Sequence, residues 1–256
     1  MKNYVKKYFV KNNCVISICT PLNFNKIKNT VKKNFESIMP SNNLKPLPYM
    51  QNKLTMEEKV KLYSSDIDKN FLNVTFMFNR KGPDLKYRAE INMLCNMIED
   101  ISDGLTKALR LDNSLIYTMD ADYMINNVNS YLDLGTEVGK ENIKPCLDVI
   151  FDYIKNLRKN GFSKEQFDKE LEKDEYYWQT LVSTPERAQD DLSRYRFYNR
   201  FVSNKDIHNQ VQSLTLTEVN KTMRELFDDA KIQIFVYGNA NKSDIYTLKQ
   251  IQNKFN

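Results

Sequence analysis

Glycine and proline are scarce in this chain, which has six Gly and seven Pro in 256 residues. Sandwich folds with many tight turns need these residues at their turns, so a turn-rich β-sandwich is excluded. The chain is expected to form long helices with short connections. Hydrophobic residues make up 41% of the sequence, which is enough to bury a core and is not typical of a disordered chain.

The order of apolar patterns predicts strands and helices along the whole chain. The predicted strands alternate apolar and polar residues or are rich in β-branched residues, and lie at Cys14–Cys19, 53–64, 71–78, 115–123, 127–138 and 231–237. The predicted helices have apolar residues at helical spacing, and lie at 4–10, 23–38, 84–109, from Lys140 to Phe227 with breaks, and from Ser243 onward. The breaks in the long segment are predicted at Asn160-Gly161, Ser183–Pro185, Ser203-Asn204 and Leu214-Thr215. Ser163 with Gln166 is a capping box, and Thr217 suits a helix start.

An internal repeat joins the two ends of the sequence. Helix, strand, turn and helix occur at 4–38 and again at about 217–254, and Ile16–Ile27 aligns with Ile234–Ile245. A repeat of this size indicates tandem copies of one domain. Since only the last part of the first copy is present, we expect its strand to expose an edge or to pair with another chain.

The basic residues are concentrated at the start of the sequence. Residues 1–63 hold twelve Lys, no Arg and three Glu. Nucleic acid is one alternative partner for such a segment. The lysines, however, alternate with Asn opposite apolar residues as on a solvated helix face, and no Arg cluster or aromatic RNA-binding motif accompanies them. We therefore do not expect a nucleic-acid partner, whereas an acidic protein surface stays open.

The spacing of the cysteines and the hydropathy of the chain indicate the cellular compartment in which the protein is expected. The four Cys form no CxxC pair, and Cys95 lies within an apolar helical pattern where a small buried side chain is expected. This usage fits a reducing environment. We find neither an apolar run of membrane-spanning length nor a signal-peptide core, and so expect a cytoplasmic protein with no membrane partner.

Histidine is nearly absent, and this argues against a zinc hydrolase. A zinc hydrolase needs three protein ligands and His is the usual donor, but this chain has a single histidine, His208, and neither HxxEH nor HExxH. GxSxG elbows and glycine-rich phosphate loops are missing too. We expect His208 to be a helix-surface residue, because its neighbours in the sequence offer no Cys or carboxylate cluster at ligand spacing, and we expect no catalytic residue and no metal site in this chain.

The most distinctive spacing in the sequence is that of Arg110 and Tyr117, which lie seven positions apart within LTKALRLDNSLIYTM. This run resembles the "LRE–RGLAYSV" segment of the insulinase and mitochondrial-processing-peptidase family. Further similarity lies in Tyr8–Val15, in the helices after Phe162-Ser163, in Ser183–Arg187 with Tyr195, and in the ending from Leu214 to Asn239. The match departs from the family at Leu111 and Ser114, where the family has an acidic residue and a glycine.

The resemblance implies a fold, a function and a partner. The fold would be α+β, with one antiparallel, partly mixed sheet flanked by helices mostly on one face. Residues 1–45 would be the helix–strand–helix tail of a preceding repeat with a linker, and residues 46–256 the non-catalytic insulinase-like domain. Arg110 and Tyr117 would bind the substrate peptide, while zinc would be held by a homologous HxxEH chain or domain.

Two other interpretations stay open. The domain can be a structural or binding subunit with no proteolytic role, as in non-peptidase members of that family. Arg110 and Tyr117 also have an ordinary structural interpretation, because an Arg at a helix C-terminus complements the helix dipole. A Tyr on a strand, in turn, packs with its hydroxyl in water.

Overall fold

The computed structural model describes residues 1–10, 16, 18–35, 57–79, 84–125, 130–181 and 202–255. The chain divides into two compact units. One comprises residues 1–51 with 181–206, and the other residues 52–180 with 207–256. The predicted boundary between residues 45 and 46 lies outside the described ranges and stays a prediction.

In its described residues the first unit contains the helices α1 (Lys2–Tyr8) and α2 (Phe24–Phe35). They confirm the helices predicted at 4–10 and 23–38 over the residues they cover. None of the α2 residues is buried, although its apolar side chains recur at helical spacing. Its last turn carries Lys32 and Lys33, which are favourable near the negative end of the helix dipole.

The strand predicted at Cys14–Cys19 is not found in the part of this segment that the structure describes. Ile16, Ile18 and Cys19 belong to no strand, and both isoleucines are exposed. The other three positions lie outside the described residues. The strand predicted from the apolar, β-branched pattern is therefore wrong at these three positions. A single short strand needs a neighbouring strand to satisfy its backbone hydrogen bonds.

The second unit contains a five-stranded sheet and most of the helices. Its strands are β1 (Lys59–Ser64), β2 (Asn70–Phe78), β3 (Ile116–Ile125), β4 (Ser130–Val138) and β5 (Lys231–Gly238). Its α-helices are α3 (Leu85–Glu99), α4 (Ile143–Asn160), α5 (Lys164–Thr180), α7 (Leu216–Asp229) and α8 (Leu248–Phe255), while α6 (Asn204–Gln212) extends over the division between the units. Short 3₁₀ turns at Lys140–Asn142 and Lys242–Asp244 and a π-helix at Lys107–Asp112 complete the described elements.

The strands lie in the order β1-β5-β2-β4-β3. β1 and β5 are parallel, and the other neighbours are antiparallel, which confirms the predicted mixed sheet. β2 lies in the centre, as its dense apolar run predicted, and β1 and β3 form the two edges. Because side chains alternate between the two faces of a strand, β2 buries Leu72, Val74 and Phe76 and exposes Phe71 on the opposite face.

The helices cover one face of this sheet. Phe76 of β2 contacts Phe227 of α7 edge to face, with ring centroids 5.1 Å apart. α3 contributes the fully buried Ile91, Leu94 and Ile98 to the same core. The fold is thus α+β with a helical layer on one face, and we call the opposite face of the sheet, where Tyr63, Phe71 and Tyr237 are exposed, the open face.

Two helix boundaries differ from the sequence prediction. The predicted helix 84–109 ends at Glu99, since the backbone of Asp100 is extended and its carboxylate accepts the Ser102 N–H at 2.8 Å. At α7 the cap is Thr215 rather than Thr217, because Glu218 completes a capping box with Thr215. The breaks at residues 160–161 and 214–215 are confirmed, and that at 183–185 lies outside the described residues.

None of the helices in the described ranges is both long enough and apolar enough to cross a membrane.

Candidate functional site

Arg110 lies on the π-helix Lys107–Asp112, which follows α3 after a tight turn. Lys169 and Lys173 of α5 both donate to the Asp100 carboxylate in this turn, the first at 2.7 Å. Burial opposes ionisation of Asp100, but these hydrogen bonds and those from Ser102 hold its pKa far below the usual range. The turn is therefore anchored to α5 by a charge network.

Gly104 lets the chain return close to the end of α3. A β-carbon at this position would lie 2.6 Å from the carbonyl oxygens of Met97, Ile98 and Asp100. All three oxygens belong to the backbone, which cannot move aside as a flexible side chain could. Only glycine fits this close approach of the chain to the end of α3.

The π-helix ends in a strained connection to β3. The Leu115 N–H donates to the Leu109 carbonyl at 2.9 Å, and the Asn113 amide donates to the Ala108 carbonyl at 2.8 Å. Between them Ser114 has φ +55°, the left-handed region that favours glycine. Ser114 occupies the position at which the family segment quoted in the sequence analysis has a glycine.

A β-bulge aims Tyr117 outward from β3. Ile116 pairs with Val138 and the next paired residue, Met119, lies opposite Thr136, so Tyr117 and Thr118 both face the single residue Glu137. Bulges of this kind turn side chains and are frequent beside functional sites. As a result, Tyr117 is 77% exposed.

These irregularities bring the two predicted site residues together. The guanidinium carbon of Arg110 lies 4.5 Å from the centroid of the Tyr117 ring. Among the residues that the structure describes, the Arg110 guanidinium makes no hydrogen bond and no ion pair; Asp112, the acidic residue on the same π-helix, is bound to Lys107 at 2.8 Å. The stacked guanidinium therefore keeps its in-plane N–H groups for another molecule.

A polar cleft lies beside this pair. It has a volume of about 440 Å³ and is lined by Asn96, Glu99, Asp100, Ile101, Thr106, Arg110, Thr118, Met119, Glu170 and Lys173. Buried Glu170 is held by Asn96 at 2.7 Å and by Lys173 at 3.2 Å. Burial, with the nearby Asp120 and Asp122, raises the pKa of Glu99, whose carboxylate also accepts the Ala121 N–H at 3.3 Å. Within these described residues, Arg110 is thus the cation of the cleft that no carboxylate neutralises.

The sequence did not identify the acidic and basic residues of this cleft. Glu99, Glu170 and Lys173 come from α3 and α5, which are separated by the whole β3–β4 hairpin. The available signal was the spacing of Lys169 and Lys173, which places both amines on one face of α5. That spacing is so common on solvated helices that it could not indicate a site.

His208 differs from its prediction. It was expected on a helix surface, but its side chain is only 12% exposed, and its Nδ1 and Nε2 lie 2.7 Å from Asp174 and 3.3 Å from Glu175. Its ring stacks on Trp178, with centroids 4.9 Å apart and planes inclined by 9°. The predicted surface position was wrong because α5, which is distant in sequence, packs against this side chain.

The residues around His208 do not fit a hydrolytic zinc site. Such a site needs three ligands and an open position, and both ring nitrogens of this imidazole already face carboxylates. In the part of the chain that is described, no group of three or more His, Cys, Asp or Glu side chains is arranged to hold a metal ion. The cluster instead joins α5 to α6.

Comparison with known protein families gives one match. The family described as "Peptidase M16 inactive domain" matches residues 1–173. No curated protein matches this sequence.

Solved structures share the fold at low sequence identity. A protease from Helicobacter pylori superimposes with a TM-score of 0.77 at 14% identity, covering 93% of this chain and 57% of that one. Complex III2 from Candida albicans, Inz-5 bound, gives 0.79 at 11% identity, covering 99% and 61%. The peptidase M16 inactive domain from Pseudomonas fluorescens gives 0.60 at 18% identity, covering 71% and 44%. This chain therefore spans about half the length of the structures it matches, and the similarity confirms the α+β fold.

Proposed function

This chain belongs to the peptidase M16 family, as a non-catalytic half of an insulinase-type protein, and we propose that it binds peptide substrates for a zinc-bearing partner. In this proposal Arg110 and Tyr117 hold the peptide backbone. The homologous partner, a separate chain or a preceding domain, carries HxxEH. Residues 1–45 are then the end of a preceding repeat. The observation that carries the proposal is the stacked, uncommitted guanidinium of Arg110 beside the exposed Tyr117.

The geometry supports recognition of backbone carbonyl groups. A peptide carbonyl oxygen accepts hydrogen bonds in its own plane, and a guanidinium offers several donors in a plane. Stacking on the Tyr117 ring restricts the Arg110 side chain, so less conformational entropy is lost when a carbonyl binds. The Tyr117 hydroxyl adds another donor at the exposed end of the ring.

The proposal divides the chemistry between two polypeptides. A bound zinc ion in the partner would activate water and polarise the scissile carbonyl. Arg110 and Tyr117 would position the same peptide and support the negative charge that develops on its oxygen. The sequence of this chain holds one histidine and cannot supply the first part.

Co-expression with a homologous HxxEH chain tests this division. Peptide hydrolysis by the purified pair is expected to fall about 10- to 100-fold with Arg110→Ala, because a hydrogen bond from a charged donor is lost, and to fall less with Tyr117→Phe. Lys159→Ala is the control, since it removes an exposed cation from α4 and should leave the rate unchanged. Equal rates in all the variants would remove Arg110 and Tyr117 from the site.

A structural role is the second candidate. It is favoured by the similarity to complex III2, which covers 99% of this chain with a TM-score of 0.79. In this case the chain forms a stable complex whose assembly does not depend on Arg110 and which shows no selectivity for peptides. Affinity purification of wild type and Arg110→Ala with the same partner, followed by a peptide-binding assay, separates the two roles.

The proposed location is the cytoplasm. Cys95 and Cys146 are free and buried, and burial raises the pKa of the Cys146 thiol to about 12, which keeps both groups unreactive. This agrees with a reducing compartment without identifying it. Cell fractionation with the partner protein would test the location, and recovery from a secreted or periplasmic fraction would contradict it.

A further inference from the structure

The open face of the sheet carries a row of aromatic side chains that ends at the Arg110–Tyr117 pair. Tyr63 of β1 is paired with Tyr237 of β5, and Tyr237 is paired with Phe71 of β2. Phe71 is in turn paired with Glu137 of β4, the residue that faces the bulge at Tyr117. One line of paired positions thus runs across all five strands. We call its aromatic members, Tyr63, Tyr237, Phe71 and Tyr117, the aromatic row.

The side chains of this row are exposed although they are large and apolar. Tyr63 is 54% exposed, and Phe71 and Tyr237 are each 47% exposed. The rings of Phe71 and Tyr237 lie side by side, with centroids 6.3 Å apart. Contiguous exposed apolar surface of this kind is typical of a binding surface, whereas isolated exposed side chains are ordinary.

Charges of opposite sign lie at the two sides of the open face. Lys59 and Lys61 belong to the edge strand β1, and Asp120 and Asp122 to the other edge strand β3. In the described part of the chain neither of these two aspartates forms an ion pair. A molecule lying across the strands would therefore be oriented with its positive part over β3 and its aromatic part over β2 and β5.

We infer that the aromatic row is a binding surface for an extended peptide that crosses the strands, with a basic residue over β3 and an aromatic residue four positions away over Phe71 and Tyr237. The inference rests on the proposed function and adds the class of peptide to it. Its basis is the continuity of the row with Arg110 and Tyr117 together with the charge pattern.

The spacing of four follows from strand geometry. Asp120 is paired with Gly135, two positions along β4 from Glu137, and therefore lies about 7 Å to one side of the aromatic row. Neighbouring strands lie about 4.8 Å apart, so Phe71 and Tyr237, two and three strands away, are at roughly 12 and 16 Å from Asp120. An extended peptide advances about 3.3 Å per residue, which gives about four or five residues. Since side chains of an extended peptide alternate in direction, only the even spacing places both side chains toward the sheet.

Binding of a peptide series to the full chain tests this inference. The probes are capped ten-residue peptides of Ser and Gly with one Lys and one Phe, separated by one to six positions. Affinity, measured by fluorescence anisotropy or chemical-shift titration, is expected to be highest at a separation of four and about three- to tenfold lower at three and five, as expected for the loss of one aromatic contact.

Three variants separate the row from the Arg110–Tyr117 pair. Phe71→Ala should remove the preference for a separation of four, and Tyr237→Phe should keep it because the ring remains. Met124→Ala, an exposed residue of β3 beyond the row that is 46% exposed, is the matched control and should change nothing. Arg110→Ala should weaken all peptides by the same factor. Circular dichroism melting of each variant shows that it is folded.

Each other outcome has a definite meaning. Equal affinity for all separations, with Arg110→Ala still weakening every peptide, would overturn the aromatic row and leave the proposed function in place. Absence of peptide binding by the wild-type chain would overturn both. A wild-type dimer that becomes monomeric with Phe71→Ala would show that the row covers a second copy of this chain, and would overturn the peptide assignment.

Discussion

Arg110 and Tyr117 are seven positions apart in the sequence, and the guanidinium carbon of the first lies 4.5 Å from the ring centroid of the second. This contact needs the π-helix before Ser114 and the β-bulge after Ile116, because a regular helix and a regular strand would orient the two side chains differently. Local irregularity at both ends of one short connection therefore brings the two side chains together.

A double-mutant cycle measures this contact. Arg110→Ala, Tyr117→Ala and the double variant are expected to give a coupling of about 0.5–1 kcal/mol in the free energy of unfolding, as for an exposed cation–π pair. Urea denaturation followed by circular dichroism supplies the four values. Strictly additive effects would mean that the stacked arrangement is not held in solution.

Ser114→Gly is expected to stabilise the chain. Ser114 has φ +55°, and a left-handed conformation costs a non-glycine residue about 1–2 kcal/mol, part of which is offset by the larger unfolded-state entropy of glycine. We therefore expect a higher melting temperature for Ser114→Gly and a lower one for Ser114→Val, whose β-branched side chain fits this region worst. Calorimetry of the three proteins checks the order, and equal temperatures would contradict it.

Gly104→Ala is expected to destabilise the second unit and to displace the π-helix. The added methyl group would lie 2.6 Å from three backbone oxygens, so the cost should be about 1–3 kcal/mol, as for other overpacked sites. Gly135→Ala is the matched control, because the nearest atom to its new methyl group is the Asn73 amide nitrogen at 3.9 Å. Chemical denaturation of both variants should therefore show a loss of stability for the first only.

Much of the sheet could be predicted from sequence because each strand carries its own signal. β2 and β5 have dense apolar runs, and both lie at interior positions of the sheet. The end of α3 was missed, since the apolar pattern continues through Leu105 and Leu109 even though Asp100 stops the helix. The two segments share one periodicity because they pack on the same core, and the turn between them is determined by contacts with α5.

His208→Ala is expected to lower the free energy of unfolding by about 1–3 kcal/mol, the usual cost of losing a partly buried, hydrogen-bonded polar group. The variant loses the contact with Asp174 at 2.7 Å and the stacking on Trp178. Asn209→Ala, the next residue on the same helix and exposed, should cost little. Thermal melting compares the two, and equal losses would show that His208 does not join α5 to α6.

The charge of Glu218 gives an acid-dependent contribution to stability. Hydrogen bonds from Lys86 and then from Thr215 lower its pKa from 4.5 to about 2. A lowered pKa in the folded state means that the stabilisation is complete above pH 4.5 and is lost as the pH falls toward 2. Glu218→Gln keeps an acceptor for the cap without the charge, so its stability should fall less than that of wild type over this range. Parallel slopes in acid titrations of both proteins would exclude the effect.

The candidate site was only partly accessible to sequence reasoning. The spacing of Arg110 and Tyr117 indicated that the two residues belong together, since both lie on one short connection. The cleft beside them and the partners of His208 could not be inferred, because α5 reaches them from more than 30 positions away. Likewise, the aromatic row appears only when the register of β1, β5 and β2 is known.

The placement of β5 between β1 and β2 has a consequence for synthesis. β5 is the last of the five described strands along the chain, yet it is the sole partner of β1 in the described sheet and the inner neighbour of β2. Until residue 238 has left the exit tunnel, the nascent chain has two strands that end in open backbone edges. The ordering of this sheet must then wait until β5 has been synthesised, so that a ribosome stalled shortly before β5 would hold an aggregation-prone intermediate in place of a folded domain.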